Sequence, residues 1–220
     1  MTSVVSSERH LGGVSRTYAY AGALITLLVF LGLSLTPVSF YKPLISEGRP
    51  IESLSTVMYF VAALLLLARL RSHWPFVGVL VFFGLRELDM DKRPFTEGLF
   101  KSRQYVGDTV SLAEKLLSAV ILILLITIVV IAMRRAISVL RARGTDGVSL
   151  CVLTALFLGV TAKMMDGLGR KLAPYGIDVP SHVEDIATLY EEVAEMGMAL
   201  CLLLASIAVL RSGWKGTGKP

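Results

Sequence analysis

A run of charged residues follows a short apolar stretch near the middle of the chain. Residues 74–85 are almost wholly apolar, and residues 86–93 read Arg-Glu-Leu-Asp-Met-Asp-Lys-Arg. Counted from Trp74 at about 1.5 Å per residue, Glu87 lies about 20 Å along a helix, within a hydrocarbon core of about 30 Å. Glu87 and Asp91 are four residues apart and share one helix face. Because charges are costly at bilayer depth, both carboxylates are predicted to face a bundle interior or a water-filled cavity.

Further carboxylates are predicted at the same depth from other parts of the chain. Glu195 stands directly before the last apolar run, about 24 Å from the far end of its helix, with Glu192 one turn earlier. Glu52 opens an apolar run, where a carboxylate also complements the helix dipole, and Asp166 closes another. We therefore expect these acids to converge at one side of the membrane.

Clustered carboxylates can act as a general acid and base or hold a metal ion. The residues predicted to be catalytic are Glu87, Asp91, Glu195 and Glu52. The residues predicted to bind a metal are Glu87, Asp91, Asp166, Glu192 and Glu195. Oxygen ligands suit magnesium, manganese or calcium rather than zinc, and His182 is the only histidine predicted on this side.

Basic residues near the acids are candidates for binding a substrate phosphate. The predicted substrate-binding residues are Lys101, Arg103, Arg170 and Arg86. Lys101 and Arg103 belong to a segment, 95–105, that mixes aromatic and basic residues as interfacial segments do. A structural alternative stays open, in which Arg86 and Arg93 neutralise the nearby acids and hold helices together.

The elements that must position these residues are membrane-spanning helices. The chain has 220 residues, of which 54% are hydrophobic and 18% charged, and its mean hydropathy is +0.68. Soluble domains carry about 25% charged residues. The sequence predicts an all-α polytopic transmembrane bundle of about six helices in a single integral membrane domain, 1–220. The predicted helices are 18–36, 51–71, 75–92, 113–135, 148–170 and 182–211.

The distribution of charge predicts an orientation with both termini in the cytoplasm. Basic residues are denser in the short segments assigned to the cytoplasm, although eleven of the 22 fall on each side. Those eleven cytoplasmic residues are Arg9, Arg16, Arg69, Arg71, Arg134, Arg135, Arg141, Arg143, Arg211, Lys215 and Lys219. Of the 17 acids, only Glu8 and Asp146 are assigned to the cytoplasm. The sequence therefore predicts a multi-pass protein of the cell membrane. In a prokaryote this would be the inner membrane, with the acidic site facing the periplasm.

Three classes of function remain open from the sequence. The first is a metal-assisted enzyme, such as a hydrolase, acting on a lipid or lipid-linked substrate at the outer leaflet. The second is a non-enzymatic subunit that packs against a partner membrane protein through polar residues. The third is a proton- or cation-coupled transporter, which the Leu, Val and Ile interior of the inner half disfavours. Nucleic acid is not an expected partner, because the basic residues flank apolar runs and do not form a soluble basic face.

Overall fold

A computed structural model describes residues 2–45, 50–68, 70–143 and 146–211. Within these ranges the chain is helical and contains no strand. The elements are α1 (Thr2–Ser34), α2 (Val38–Ile45), α3 (Pro50–Leu67), α4 (Leu70–Glu87), α5 (Arg103–Val106), α6 (Leu112–Arg143), α7 (Gly147–Met165), α8 (Leu168–Leu172), a 3-10 turn (Ala173–Tyr175) and α9 (Ser181–Arg211). Arg69, Lys215 and Lys219, which entered the predicted orientation, lie outside the described residues.

In the part of the chain that the structure describes, five candidate spans are long and apolar enough to cross a membrane. They are Arg16–Ser34, Val38–Leu67, Leu112–Ser138, Gly147–Met165 and Ser181–Arg211. The 18-residue α4 is not among them. It has the length of a crossing, about 27 Å, but carries Arg71, Arg86 and Glu87 near its ends. The all-helical class is confirmed, and the five stretches are compatible with a membrane location.

The central helix is α9, which packs against α1, α3 and α7, while α4 packs against α3 and α6. Small residues let these helices approach closely. A Cβ atom at Gly197 of α9 would lie 2.4 Å from Thr26 Oγ1 of α1, and one at Gly159 of α7 would lie 2.5 Å from Met198 Sδ of α9. Close packing of α7 on α9 brings the polar end of α7 next to the acids of α9.

The bundle has two chemically different ends. At the acidic end, α3 and α9 begin and α4 and α7 terminate, so that the carboxylates of all four helices meet. At the basic end, the Arg135 guanidinium lies 5.9 Å from the centre of the Trp74 ring, and that of Arg211 lies 5.8 Å from the centre of the Tyr18 ring. Such cation–π pairs fix the basic ends of α4 and α6, and of α1 and α9, at common levels.

The helix predicted at 75–92 is displaced, since α4 runs from Leu70 to Glu87. It ends because Asp89 takes up the left-handed conformation, with φ of 55°. The Met90 amide donates to the Leu85 carbonyl at 3.0 Å and the Asp89 amide to that of Arg86 at 2.9 Å. These two bonds form a Schellman motif, in which glycine is the usual left-handed residue and aspartate a tolerated one. Asp91 therefore lies in a turn and does not share a helix face with Glu87.

The other boundaries differ in simpler ways. The helix predicted at 148–170 ends at Met165, because Gly167 adopts a left-handed φ of 58° and Arg170 falls on the separate α8. The helix predicted at 113–135 continues to Arg143, since the basic residues at its end favour helix. The first helix begins at Thr2, well before the predicted residue 18.

The close approach of α1 and α9 gives the first testable prediction. Gly197→Ala places a methyl group against Thr26 and is expected to lower the free energy of unfolding by about 1–3 kcal/mol, the usual cost of overpacking. Gly32→Ala is the matched control, because a Cβ atom there meets nothing within 4 Å. Thermal unfolding in one mild detergent measures both. Equal midpoints for the two variants would contradict this packing.

Candidate functional site

A cavity of about 310 Å³ opens at the acidic end of the bundle. Its walls combine eight carboxylates with three cationic side chains, so full ionisation would leave five negative charges in excess. The lining residues are Glu52, Arg86, Glu87, Asp89, Asp91, Lys92, Lys163, Asp166, Glu191, Glu192 and Glu195. We call this the acidic cavity. All residues predicted to be catalytic, and all predicted metal ligands, lie in its wall.

Glu195 is the best buried of the paired carboxylates, and its side chain is only 12% exposed. Its Oε1 atom lies 2.9 Å from Lys163 Nζ of α7 and accepts a hydrogen bond of 3.4 Å from Arg86 Nη2 of α4. One carboxylate of α9 is thus joined to both neighbouring helices. The two cations offset the cost of burying the charge of Glu195.

Lys163 lines the acidic cavity, and the sequence analysis did not single it out. Its Nζ atom lies 3.3 Å from Glu191 Oε1 and 3.6 Å from Asp166 Oδ2, in addition to its bond with Glu195. An ammonium group therefore already occupies a position among three carboxylates. The available signal was a lone lysine in an otherwise apolar helix, three residues before Asp166.

Other carboxylates of the acidic cavity are not paired in this way. In the part of the chain that the structure describes, Glu87 and Glu192 make no salt bridge and no side-chain hydrogen bond. The Asp91 Oδ1 atom is buried and has no hydrogen-bond partner there either. The ion pairs of the cavity are consequently concentrated around Lys163 and Arg86, while Glu87 and Glu192 are held in no ion pair.

Tyr59 of α3 lies beneath the acidic cavity. Its side chain is fully buried, and among the described residues its hydroxyl group has no hydrogen-bond partner. It interacts electrostatically with Glu87, Glu195 and Arg86. A helical tyrosine points towards the start of its helix, and α3 starts at the acidic end with Glu52 two turns before Tyr59. The hydroxyl is therefore directed towards the acidic end of the bundle, and a buried unpaired hydroxyl is costly unless a further group supplies the bond.

An apolar groove of about 490 Å³ adjoins the acidic cavity between α4, α7 and α9. Arg86, Lys163 and Glu195 belong to the walls of both spaces. The remaining groove residues are Phe83, Leu156, Gly159, Val160, Met164 and Met198. Three of them are well exposed, Leu156 at 56%, Val160 at 60% and Met164 at 61%, so the groove is open at the side of the bundle. We call it the lateral groove.

The arrangement of the carboxylates does not favour a metal site. Among the residues the structure describes, no three His, Cys, Asp or Glu side chains are gathered so that they could hold a metal ion. The Lys163 ammonium group lies where Glu191, Glu195 and Asp166 approach one another. The predicted magnesium, manganese or calcium site thus stays a prediction from the sequence, with no support from this geometry.

The structure does not bring Lys101 and Arg103 to the acidic cavity. Both are exposed; Lys101 lies just before α5 and Arg103 begins it, in a segment fixed to the start of α6. The buried Gln104 amide donates to Glu114 Oε1 at 3.0 Å and to Ser118 Oγ at 2.9 Å. Arg170 lies at the rim, where its 79% exposed side chain approaches Asp166 at 3.8 Å. Of the four predicted substrate-binding residues, only Arg86 lines the cavity.

Comparison with protein-family models, with curated proteins and with solved structures finds no match to this chain.

Two isosteric variants on one helix test the assignment of charges within the cavity. Glu195→Gln leaves Arg86 and Lys163 without their shared partner, so we expect it to lower the free energy of unfolding. The expected loss is about 2 kcal/mol, below the roughly 3–5 kcal/mol of a fully buried pair because both cations are partly exposed.

Glu192→Gln removes an uncompensated negative charge and is expected to leave stability unchanged or to raise it. Thermal unfolding of both variants in the same detergent makes the comparison. An equal loss of stability in the two variants would refute the distinction between paired and uncompensated carboxylates.

Proposed function

We propose that this chain binds an amphiphilic molecule, a lipid or a lipid-linked substrate, from the outer leaflet of the membrane. The polar head of the molecule enters the acidic cavity, and its hydrocarbon chain lies in the lateral groove. The observation that carries the proposal is that the two spaces share Arg86, Lys163 and Glu195 in their walls. A polar cavity joined to an open apolar groove matches the two parts of an amphiphile, its polar head and its hydrocarbon chain.

The two spaces contribute differently to binding. A hydrocarbon chain gains little by leaving lipid for an apolar groove, because lipid tails are as apolar as the groove. The groove therefore sets the position and direction of the ligand. Affinity and selectivity come from the polar head, which meets the preorganised charged side chains of the acidic cavity.

The packing beneath the cavity supports a binding site rather than a channel through the bundle. The facing parts of α3 and α9 belong to one contiguous core. Its residues with 0% exposure include Tyr59, Ala62, Ala199 and Cys201. A pathway for ions would need polar groups to continue towards the basic end. If the bound molecule is also a substrate, Glu87 and Glu192 are the carboxylates available for proton transfer, since neither is held in a salt bridge.

We further propose that the chain crosses the membrane six times, with α4 as the sixth crossing and both termini in the cytoplasm. Support comes from the basic end, where Arg135 and Arg211 lie against Trp74 and Tyr18, as basic and aromatic residues do at a cytoplasmic interface. The acidic cavity then opens on the outer side.

Cysteine labelling tests this topology. Ser53→Cys, Asp108→Cys and Arg141→Cys lie at exposed positions, while the native Cys151 and Cys201 are buried. An impermeant maleimide added to intact cells is expected to label positions 53 and 108 and to spare 141 until the membrane is permeabilised. Labelling of 53 without 108 would show that α4 does not cross, and labelling of 141 alone would reverse the orientation.

Filling the lateral groove tests the binding of an amphiphile. Val160→Trp puts a large ring into the groove, whereas Phe157→Trp alters the same helix at a 65% exposed position outside it. We expect the protein extracted in mild detergent to retain a bound amphiphile, visible by native mass spectrometry. The Val160→Trp variant should lose most of it and the Phe157→Trp variant should keep it. Equal retention by both variants, or a wild-type protein with none, would contradict the proposal.

A further inference from the structure

The carboxylates of the acidic cavity that are held in no ion pair indicate the charge of the group that the cavity accepts. Glu87 and Glu192 line the cavity without a salt bridge in the described part of the chain, and the cavity as a whole has many more acids than cations. An anionic head would add to this excess of negative charge. A cationic head would reduce it, and would gain from a cavity that is partly shielded from water.

Lys163 shows what kind of cation the walls can hold. Its ammonium group lies within 2.9 to 3.6 Å of oxygen atoms from Glu191, Glu195 and Asp166. Two carboxylates from α9 and one from the end of α7 thus already surround one ammonium group. Glu192, in the same turn, and Glu87 opposite present a second set of acceptors to the same cavity.

The Tyr59 hydroxyl is an independent indication that the acidic end accepts a polar group. It is 0% exposed, points along α3 towards the acidic end, and has no hydrogen-bond partner among the described residues. A phenol oxygen can accept a hydrogen bond from an ammonium group while its own proton is donated to a carboxylate. A bound ammonium group would therefore satisfy Tyr59 together with the acids around it.

We infer that the amphiphile bound by this protein has a cationic, amine-bearing head, an inference that rests on the proposed function. The head enters the acidic cavity between Glu87 and Glu192. The ammonium group takes up the charge that Lys163 and Arg86 leave uncompensated, and the hydrocarbon chain leaves past Glu195 into the lateral groove. Lys163 and Arg86 hold Glu195 in place at the border between the acidic cavity and the lateral groove.

Three probes with the same chain and different heads test this inference. Hexadecylamine, hexadecanol and hexadecyl phosphate are each titrated against the full chain in phosphatidylcholine nanodiscs, and occupancy is read by native mass spectrometry. We expect the amine to bind about tenfold more tightly than the alcohol, as one hydrogen-bonded charge pair would give, and the phosphate more weakly than either. Glu192→Gln should remove most of the preference for the amine. Glu184→Gln, an exposed change on the same helix outside the cavity, should retain it.

The outcomes separate this inference from the proposed function. If amine and alcohol bind equally and both are lost in Val160→Trp, the groove binds amphiphiles and the inference about charge is wrong. If none of the three probes binds, the proposed function itself fails. A preference for the amine that survives Glu192→Gln and Val160→Trp alike would place the binding elsewhere and overturn both.

Discussion

The salt bridges of Glu195 hold the acidic end of the bundle together. A single oxygen of this buried carboxylate meets Lys163 from α7 and Arg86 from α4. A buried carboxylate without such partners would cost several kcal/mol, so the three groups must be brought into place together. The small residues Gly159 and Gly197 make this possible, because they let α7 and α1 approach α9 closely enough.

The junction also explains why the acidic cavity and the lateral groove are neighbours. Arg86 and Lys163 come from helices on either side of the groove and extend across its upper end to reach Glu195. Both side chains line the cavity and the groove at once, and both combine an apolar stem with a charged head. Structural ion pairs and a binding site are thus not alternatives here. The same three residues that connect the helices also mark the boundary at which a ligand would change from polar to apolar.

The sequence predicted the composition of the cavity better than its geometry. Glu52, Glu87, Asp91, Asp166, Glu192 and Glu195 were expected to converge, and all six line the cavity, because charges at the limits of apolar helices must meet at one end of a bundle. The end of α4 was predicted wrongly, since an aspartate at position 89 performs the role that usually falls to glycine.

Long-range contacts account for the remaining differences. Lys163 could not be paired with Glu191 and Glu195 until the closeness of α7 and α9 was known, because the pairing depends on helix packing and not on local spacing. Lys101 and Arg103 were expected near the acids, but the hydrogen bonds of Gln104 and Glu114 hold their loop against α6. The metal hypothesis assumed that the acids would face one another directly, and Lys163 lies between three of them instead.

An electron cryomicroscopy map of the full chain in lipid nanodiscs, with an antibody fragment bound for size, tests the central claim most directly. The account predicts one continuous elongated density that starts among Glu87, Glu192 and Tyr59, passes Glu195 and continues between α4 and α7. A map in which α4 lies directly against α7, with their side chains filling the groove, would contradict it.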